Sequence, residues 1–326
     1  MDSRPERTEL IKRIEERTDS YLINLVYNTR KTRFSTQLAS DVLDSLYSLL
    51  KSIPINIANK KVCLLLHSSG GFLDVITSFV YLLRHRFKEF DVIIPEIAHS
   101  AATILSLGAD NILMSNYSSL SPFDPQLTLK TQAGTIGAGT EDIKGYYSII
   151  ADLFKTDTAK VQAFSILASR FPPEVLGNLE RTQKQVRLVA TKMLLYRSFS
   201  KRKTKRILDR FQKEFYSHQY RIHYDDAIKL GLHARLMDED LEDLCLRLLF
   251  LYKSSFGTES DLELDIPDEN NSVELVINRS YLESENASFS YKTKYRVFKQ
   301  KKVEVEELGW LSNNNAREER GTTNEG

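Results

Sequence analysis

Two short stretches carry the residue types that acyl chemistry requires. One reads His67-Ser68-Ser69-Gly70-Gly71, the other Ala98-His99-Ser100-Ala101-Ala102-Thr103. Paired glycines let a backbone approach a ligand closely and aim N–H groups outward, above all where a strand gives way to a helix. Such a turn can hold an oxyanion or a phosphate, or can be no more than a tight corner. A Walker-type loop does not fit, because no Gly-Lys-Ser/Thr ending follows the glycines. Ser100 lies among small residues that permit a sharp turn and a close substrate carbonyl, so it is either a nucleophile or an ordinary helix N-cap. The pairing of the two stretches favours the nucleophile. A glycine turn after one strand and an Ala-His-Ser-Ala turn after the next bring donors and hydroxyl together at the strands' C-terminal ends, where open α/β sheets bind ligands.

The elements around these turns read as βαβ units. Lys61–Leu66, Asp91–Pro95 and Asn111–Met114 are short apolar runs of the kind that form buried parallel strands. Leu73, Ile76, Val80, Leu83 and Phe87 mark an amphipathic helix after the glycines, and Ala101–Leu107 a helix after Ser100. The first 30 residues read as helical through Leu10, Ile14, Leu22 and Val26, and Thr36–Leu50 through Leu38, Val42, Leu46 and Leu49. Helices dominate from Asp142 to Phe215. Asp225–Leu230 is a short helix closed by Gly231, and Glu239–Tyr252 the last helix. Beyond Gly257 a weak alternation suggests a small β appendage, followed by a polar, disordered end. The basic stretch Lys192–Lys213 carries Ile207, Phe211 and Phe215 at helical spacing, which favours a solvated amphipathic helix over a nucleic-acid surface.

The 326 residues carry a formal charge of only +1, so nothing global points to nucleic acid or an anionic membrane. The two cysteines, Cys63 and Cys245, sit in apolar segments and read as core residues of a reducing compartment rather than a disulfide or metal site. No apolar run approaches a membrane span and no signal peptide is visible, which gives a cytoplasmic expectation.

The segments LLLHSSGG, VIIPEIAHSAATILSLGADNILM and SLSPFDPQL, in that order, resemble the serine dehydrogenase proteinase family, related to the Clp protease proteolytic subunit and signal peptide peptidase A. The likeness extends more weakly to about residue 237, through FYSHQYRIHYDDAIKLGLHA. It implies an α/β, Clp/crotonase-like layered βαβ domain over residues 36–238, with an N-terminal helical arm at 1–35 and a C-terminal helix and polar tail at 239–326. It also implies a serine peptidase acting on peptides or proteins, with Ser100 as nucleophile, Gly70 and Gly71 as the oxyanion turn and the Ala101 N–H as a further donor. On that reading a β-branched residue at Gly71 removes hydrolysis while sparing the fold. The family implies a homo-oligomer, and with no metal or nucleotide site apparent in the sequence no cofactor is expected.

Neither inherited base transfers intact. Ser121-Pro122-Phe123-Asp124-Pro125 stands where a triad histidine belongs, and Lys144 is slightly out of register for a dyad lysine. His218 lies close to where a Clp-type triad keeps its third member, so it becomes the candidate base, with Asp124 orienting it and Lys144 or Lys130 as the alternative. His67 and His99 rank behind it. Two other readings stay open: a non-catalytic binding or scaffold protein on the same fold, and a crotonase-like acyl-thioester enzyme.

Overall fold

The computed structural model describes residues 3–54, 60–123, 126–131, 134–154, 156–197, 199–213, 215, 220–263, 272–299 and 302–313. The chain opens with α1 (Arg4–Thr18), β1 (Tyr21–Tyr27) and α2 (Val42–Ser52). Next come β2 (Lys61–His67), α3 (Asp74–Arg86), β3 (Glu89–Ile94), the two-residue β4 (Ile97–Ala98) and α4 (Ala101–Ser106). After β5 (Ile112–Met114) and β6 (Ser119–Leu120), a hairpin of β7 (Gln126–Thr131) and β8 (Gly134–Gly139) leads into helices. These are α5 (Thr140–Leu153), α6 (Asp157–Arg170), α7 (Pro173–Leu195), α8 (Lys201–Lys213) and α9 (Tyr224–Leu230). Finally β9 (Ala234–Leu236), α10 (Glu239–Ser254) and the long strands β10 (Ser272–Glu283), β11 (Ser288–Phe298) and β12 (Val303–Ser312) close the chain.

One eight-stranded sheet runs β12-β11-β10-β1-β2-β3-β5-β9. Strands β1, β2, β3, β5 and β9 are parallel, and β10–β12 form an antiparallel meander hydrogen-bonded to β1. The three strands expected from the sequence lie together in this sheet, as the βαβ pattern requires. Alternate side chains of each strand serve two layers. Ile23, Leu25, Leu64, Leu66, Val92 and Ile94 pack under α2, α3, α4 and α7. Leu22, Val26, Cys63, Leu65 and Ile93 pack under α1 and α10. Both cysteines are buried and free, and burial pushes the Cys63 thiol up to about 11.

Several sequence expectations change. Tyr21–Tyr27 is a central strand rather than the end of a helical arm; a strand buried on both faces shows no alternation, and its apolar run imitates a helical stripe. Helix α2 begins only at Val42, because Leu38 is pinned in extended form: its N–H donates to Gly70 O and its carbonyl accepts from Phe72 N–H, both at 2.8 Å. The C-terminal strands are not an appendage but an extension of the central sheet. Helix α8 buries Ile207, Leu208 and Phe211, in keeping with its amphipathic pattern.

The two ends of the chain meet at a buried ion pair. Arg7 on α1 donates to both carboxylate oxygens of Glu283 on β10, at 2.7 and 3.1 Å, and Tyr252 Oη of α10 donates to the same group at 2.7 Å. Burial alone would lower the Arg7 pKa, yet the bond to Glu283 holds it above its ordinary value. Glu283→Ala strands a buried guanidinium and a buried phenol, so it is expected to lower unfolding stability by about 3–5 kcal/mol. Urea denaturation checks this, and the Arg7→Met/Glu283→Leu pair should lose markedly less.

Candidate active site

The HSSGG turn and the AHSAA turn follow the adjacent parallel strands β2 and β3. After Ile94 the chain makes β4, which pairs in parallel with β6 through Ile97–Ser119 and Ala98–Leu120, while Ala98 also bridges Ser68. Ser100 then adopts φ 52° and ψ −118°. A non-glycine residue there carries strain of order 1–3 kcal/mol, held only where its surroundings enforce it. Here they do. Ser121 Oγ accepts from the Ser100 N–H at 2.8 Å. Thr103 Oγ1 donates to Ala98 O at 2.7 Å and accepts the Ser121 N–H at 3.1 Å. The Ser100 side chain makes no cap hydrogen bond to α4, so the N-cap alternative does not describe it.

Gly70, at φ 112°, lies against this turn: a Cβ on it would come 2.8 Å from Ser100 Cβ and 2.9 Å from His99 O. Its own N–H donates to Ser68 Oγ at 3.0 Å. Gly71, at φ 155°, faces the other way, and a Cβ there would collide with the backbone of Leu38. A valine at Gly71 would therefore break the seat of the turn on Leu38, so the expectation that it spares the fold does not hold. Among the described residues, no acceptor is bonded to the N–H of Gly71 or of Ala101. Among the described residues the strand end and the helix start thus leave two backbone N–H groups without a protein acceptor, one of them on the residue after the strained, half-buried Ser100.

The histidines distribute differently. His99 Nε2 lies 3.0 Å from Ser119 Oγ. His67 is buried at the end of β2, on the α1/α10 side of the sheet, with Nε2 3.1 Å from Thr29 Oγ1. Its Nδ1 lies 3.7 Å from Glu96, which itself pairs with Lys253 at 2.7 Å. His223 Nδ1 lies 2.8 Å from Ser118 O. Asp124 and His218 lie outside the described residues. Lys130 falls on β7 and Lys144 on α5, with side chains likewise outside them. Sequence reasoning missed Ser121 and Leu38. The i, i+2 spacing of Ser119 and Ser121, which puts both on one face of an extended segment, was the available signal for the first. Among the described residues no cluster of His, Cys, Asp or Glu suits a metal ion, and no helix is long and apolar enough to cross a membrane.

The profile of ClpP-like SDH-type serine proteinases matches residues 2–169, the span that contains both turns and the strands that carry them. The chain belongs to this family. Among relatives of this chain is the uncharacterized protein MJ0137 of Methanocaldococcus jannaschii, 22% identical over 275 residues, or 81% of this chain and 85% of that protein. A second, the uncharacterized protein MJ1495 of the same organism, is 24% identical over 119 residues, 36% of this chain and 41% of that protein. A solved structure that is similar, a mutant of the 1510-N membrane-bound stomatin-specific protease, has a TM-score of 0.37 at 15% identity, covering 68% of this chain and 81% of the other. The matched span stops before α7, so the C-terminal meander is additional to it.

Burial drives the pKa of His67 down to about 4, against the pull of the Glu96 carboxylate and with the help of Lys253 and His99. The unfolded value is about 6.5. The unfolded chain therefore binds the extra proton first, and stability present above pH ~6.5 is lost as the pH falls toward about 4. The slope from this residue approaches about 1.4 kcal/mol per pH unit within that window. Denaturant unfolding between pH 7 and 4.5 should show His67→Gln losing stability more slowly than the native chain.

Proposed function

We propose that this protein is a serine peptidase that cleaves peptide bonds through an acyl-enzyme on Ser100. The observation that carries the reading is the strained backbone of Ser100 at the entry to α4, with the side-chain-free Gly70 packed against its Cβ. A nucleophile on such a turn is lifted clear of the sheet toward a carbonyl. Ser100 Oγ attacks the scissile carbonyl, and the oxygen that becomes anionic is received by the N–H groups of Gly71 and Ala101. One such donor is worth about 2.7–4 kcal/mol in the transition state. Gly70 contributes room rather than a donor, since its N–H is turned to Ser68. The base takes the hydroxyl proton and returns it to the departing amine, and water then releases the acyl group.

His218 is the base we favour, oriented by Asp124. Support comes from their neighbours: Phe211 stacks on Phe123 at 4.8 Å, Phe215 on Tyr220 at 4.8 Å, and Ile222 exchanges two 2.9 Å hydrogen bonds with Leu120. Described residues near both candidates are thus tied to the 120–123 segment, whose Ser121 accepts the Ser100 N–H. Lys144 and Lys130 are the alternative. The chemistry needs no cofactor, and we expect peptide or protein substrates, a homo-oligomer and a cytoplasmic setting.

A fluorophosphonate probe should label the native chain and not Ser100→Ala. Its rate should rise with pH through about 6.5 if the imidazole is unshifted. His218→Ala should slow labelling by a factor on the order of 100 or more, with Lys144→Ala and Lys130→Ala near native. Ser121→Ala should slow it about tenfold, the equivalent of one hydrogen bond, without moving the pH profile. A lysine variant that abolishes labelling while His218→Ala does not would reassign the base. A chain that no serine probe labels would give the lead to a non-catalytic scaffold, or to a thioester enzyme if it hydrolyses acyl-CoA.

A further inference from the structure

A cavity of about 460 Å³ lies where the C-terminal meander meets the Gly70–Gly71 turn. Ser69 and Phe72, which flank the two glycines, form one wall, and Thr36 and Gln37, just before the gripping residue Leu38, form another. The turn therefore separates this cavity from Ser100: Gly70 abuts the serine, Gly71 abuts Leu38, and Ser69 opens on the cavity.

The chemistry of the remaining walls is specific. Tyr27, only 2% exposed, is one of the lining residues, and its buried hydroxyl has no hydrogen-bond partner among the described residues. A buried phenol without a partner is costly, which points to a polar group that completes it. The Arg279 guanidinium also lines the cavity but is saturated. Its Nε donates to Phe34 O, Nη2 to Ser35 O, and Nη1 to Thr293 Oγ1 and Glu307 Oε1. Glu307 is likewise engaged, its second oxygen accepting from Thr293. Asp41 is the remaining charge: it lines the cavity at its exposed rim, and no ion pair to it is found among the described residues. Trp310 makes edge contacts with Tyr27 and Tyr291, at ring distances of 6.2 and 5.9 Å, on the same wall as Asp41. Aromatic rings around a carboxylate with no counter-ion suit a cation on an apolar stem.

We propose that this cavity is a substrate subsite for a basic side chain, lysine or arginine, with Asp41 as its counter-charge and the Tyr27 hydroxyl as the second polar contact. The proposal rests on the peptidase reading of Ser100. It assigns to the meander beyond the family span a role in selecting the peptide presented across the glycine turn. An acidic side chain would set like charge against Asp41, and a neutral one would forgo its attraction, so both bind less well than a basic one.

Trp310 is the single tryptophan of the chain, so its fluorescence reports the cavity directly. With full-length Ser100→Ala protein, titration with acetyl-Ala-Arg-Ala-amide should give a saturable change, with binding about tenfold tighter than for the leucine or glutamate analogue. Asp41→Asn, which keeps the shape of the residue before α2, should remove that preference, and Tyr27→Phe should weaken arginine binding several-fold. No change in fluorescence, equal or tighter binding of the leucine or glutamate peptide, or a preference unchanged in Asp41→Asn would overturn the subsite. Fluorophosphonate labelling of native protein is scored separately. Loss of labelling alone defeats the peptidase reading, whereas loss of arginine selectivity with labelling intact defeats only the subsite.

Discussion

The site depends on a missing atom. With no Cβ at position 70, the glycine turn after β2 can lie against the backbone of His99 and the Cβ of Ser100; even an alanine methyl would sit 2.8 Å from that Cβ. The close approach fixes the distance between the two turns. Gly71 supplies the matching freedom on the other side, where Leu38 grips the turn from an extended segment. The neighbouring loops are thus registered against a backbone rather than against flexible side chains, which is the rigidity preorganised electrostatics requires.

That registration is useful only if β2 and β3 keep their positions, and both termini contribute to this. Strand β1 stands between β2 and β10, so the parallel half of the sheet and the C-terminal meander share one hydrogen-bonded frame. On the face opposite the site, α1 and α10 cover the strands, locked by Arg7, Glu283 and Tyr252. Arg7 also lies over the rings of Tyr252 and Tyr281, at 5.1 and 5.0 Å. A charge buried this deeply is tolerated because Nε and Nη2 find the Glu283 carboxylate, Nη1 finds Ser3 Oγ, and the aromatic faces complete its surroundings. The same meander that closes the frame carries Arg279 and Trp310 to the flank of the glycine turn.

Much of this was legible in the residues. The short apolar runs gave β2, β3 and β5, and the glycines and Ser100 stood out because small residues after strands have few other reasons to cluster. What misled the reading was burial on both faces. Tyr21–Tyr27 presents apolar side chains to two layers, so neither a period of two nor of 3.6 is visible and Leu22 and Val26 mimic a helical stripe. Leu38 was assigned to a helix for the same reason, since a pinned extended residue and a helical one are equally apolar. The meander read weakly because its strands are half exposed and rich in charge. Ser121 left only the faint signal of its spacing from Ser119, and the Tyr27–Asp41–Trp310 cluster left none, because only folding brings residues so far apart together.

The strain at Ser100 explains why the segment around Ser121 belongs to the site although it contributes no reacting atom. A φ of 52° is worth of order 1–3 kcal/mol against the turn. One net hydrogen bond returns only about 0.5–1.5 kcal/mol. A single contact therefore does not hold it, and a network is used: Ser121 Oγ takes the Ser100 N–H, Thr103 links Ser121 to Ala98, and β4 pairs with β6. That small parallel pair is separate from the main sheet. The geometry of the serine is consequently set by residues 118–123 as much as by β3. The same stretch is bonded through Leu120 to Ile222 and stacked through Phe123 on Phe211. Any displacement of the helical region after α7 would be felt at residues 118–123, and through Ser121 at the amide of Ser100.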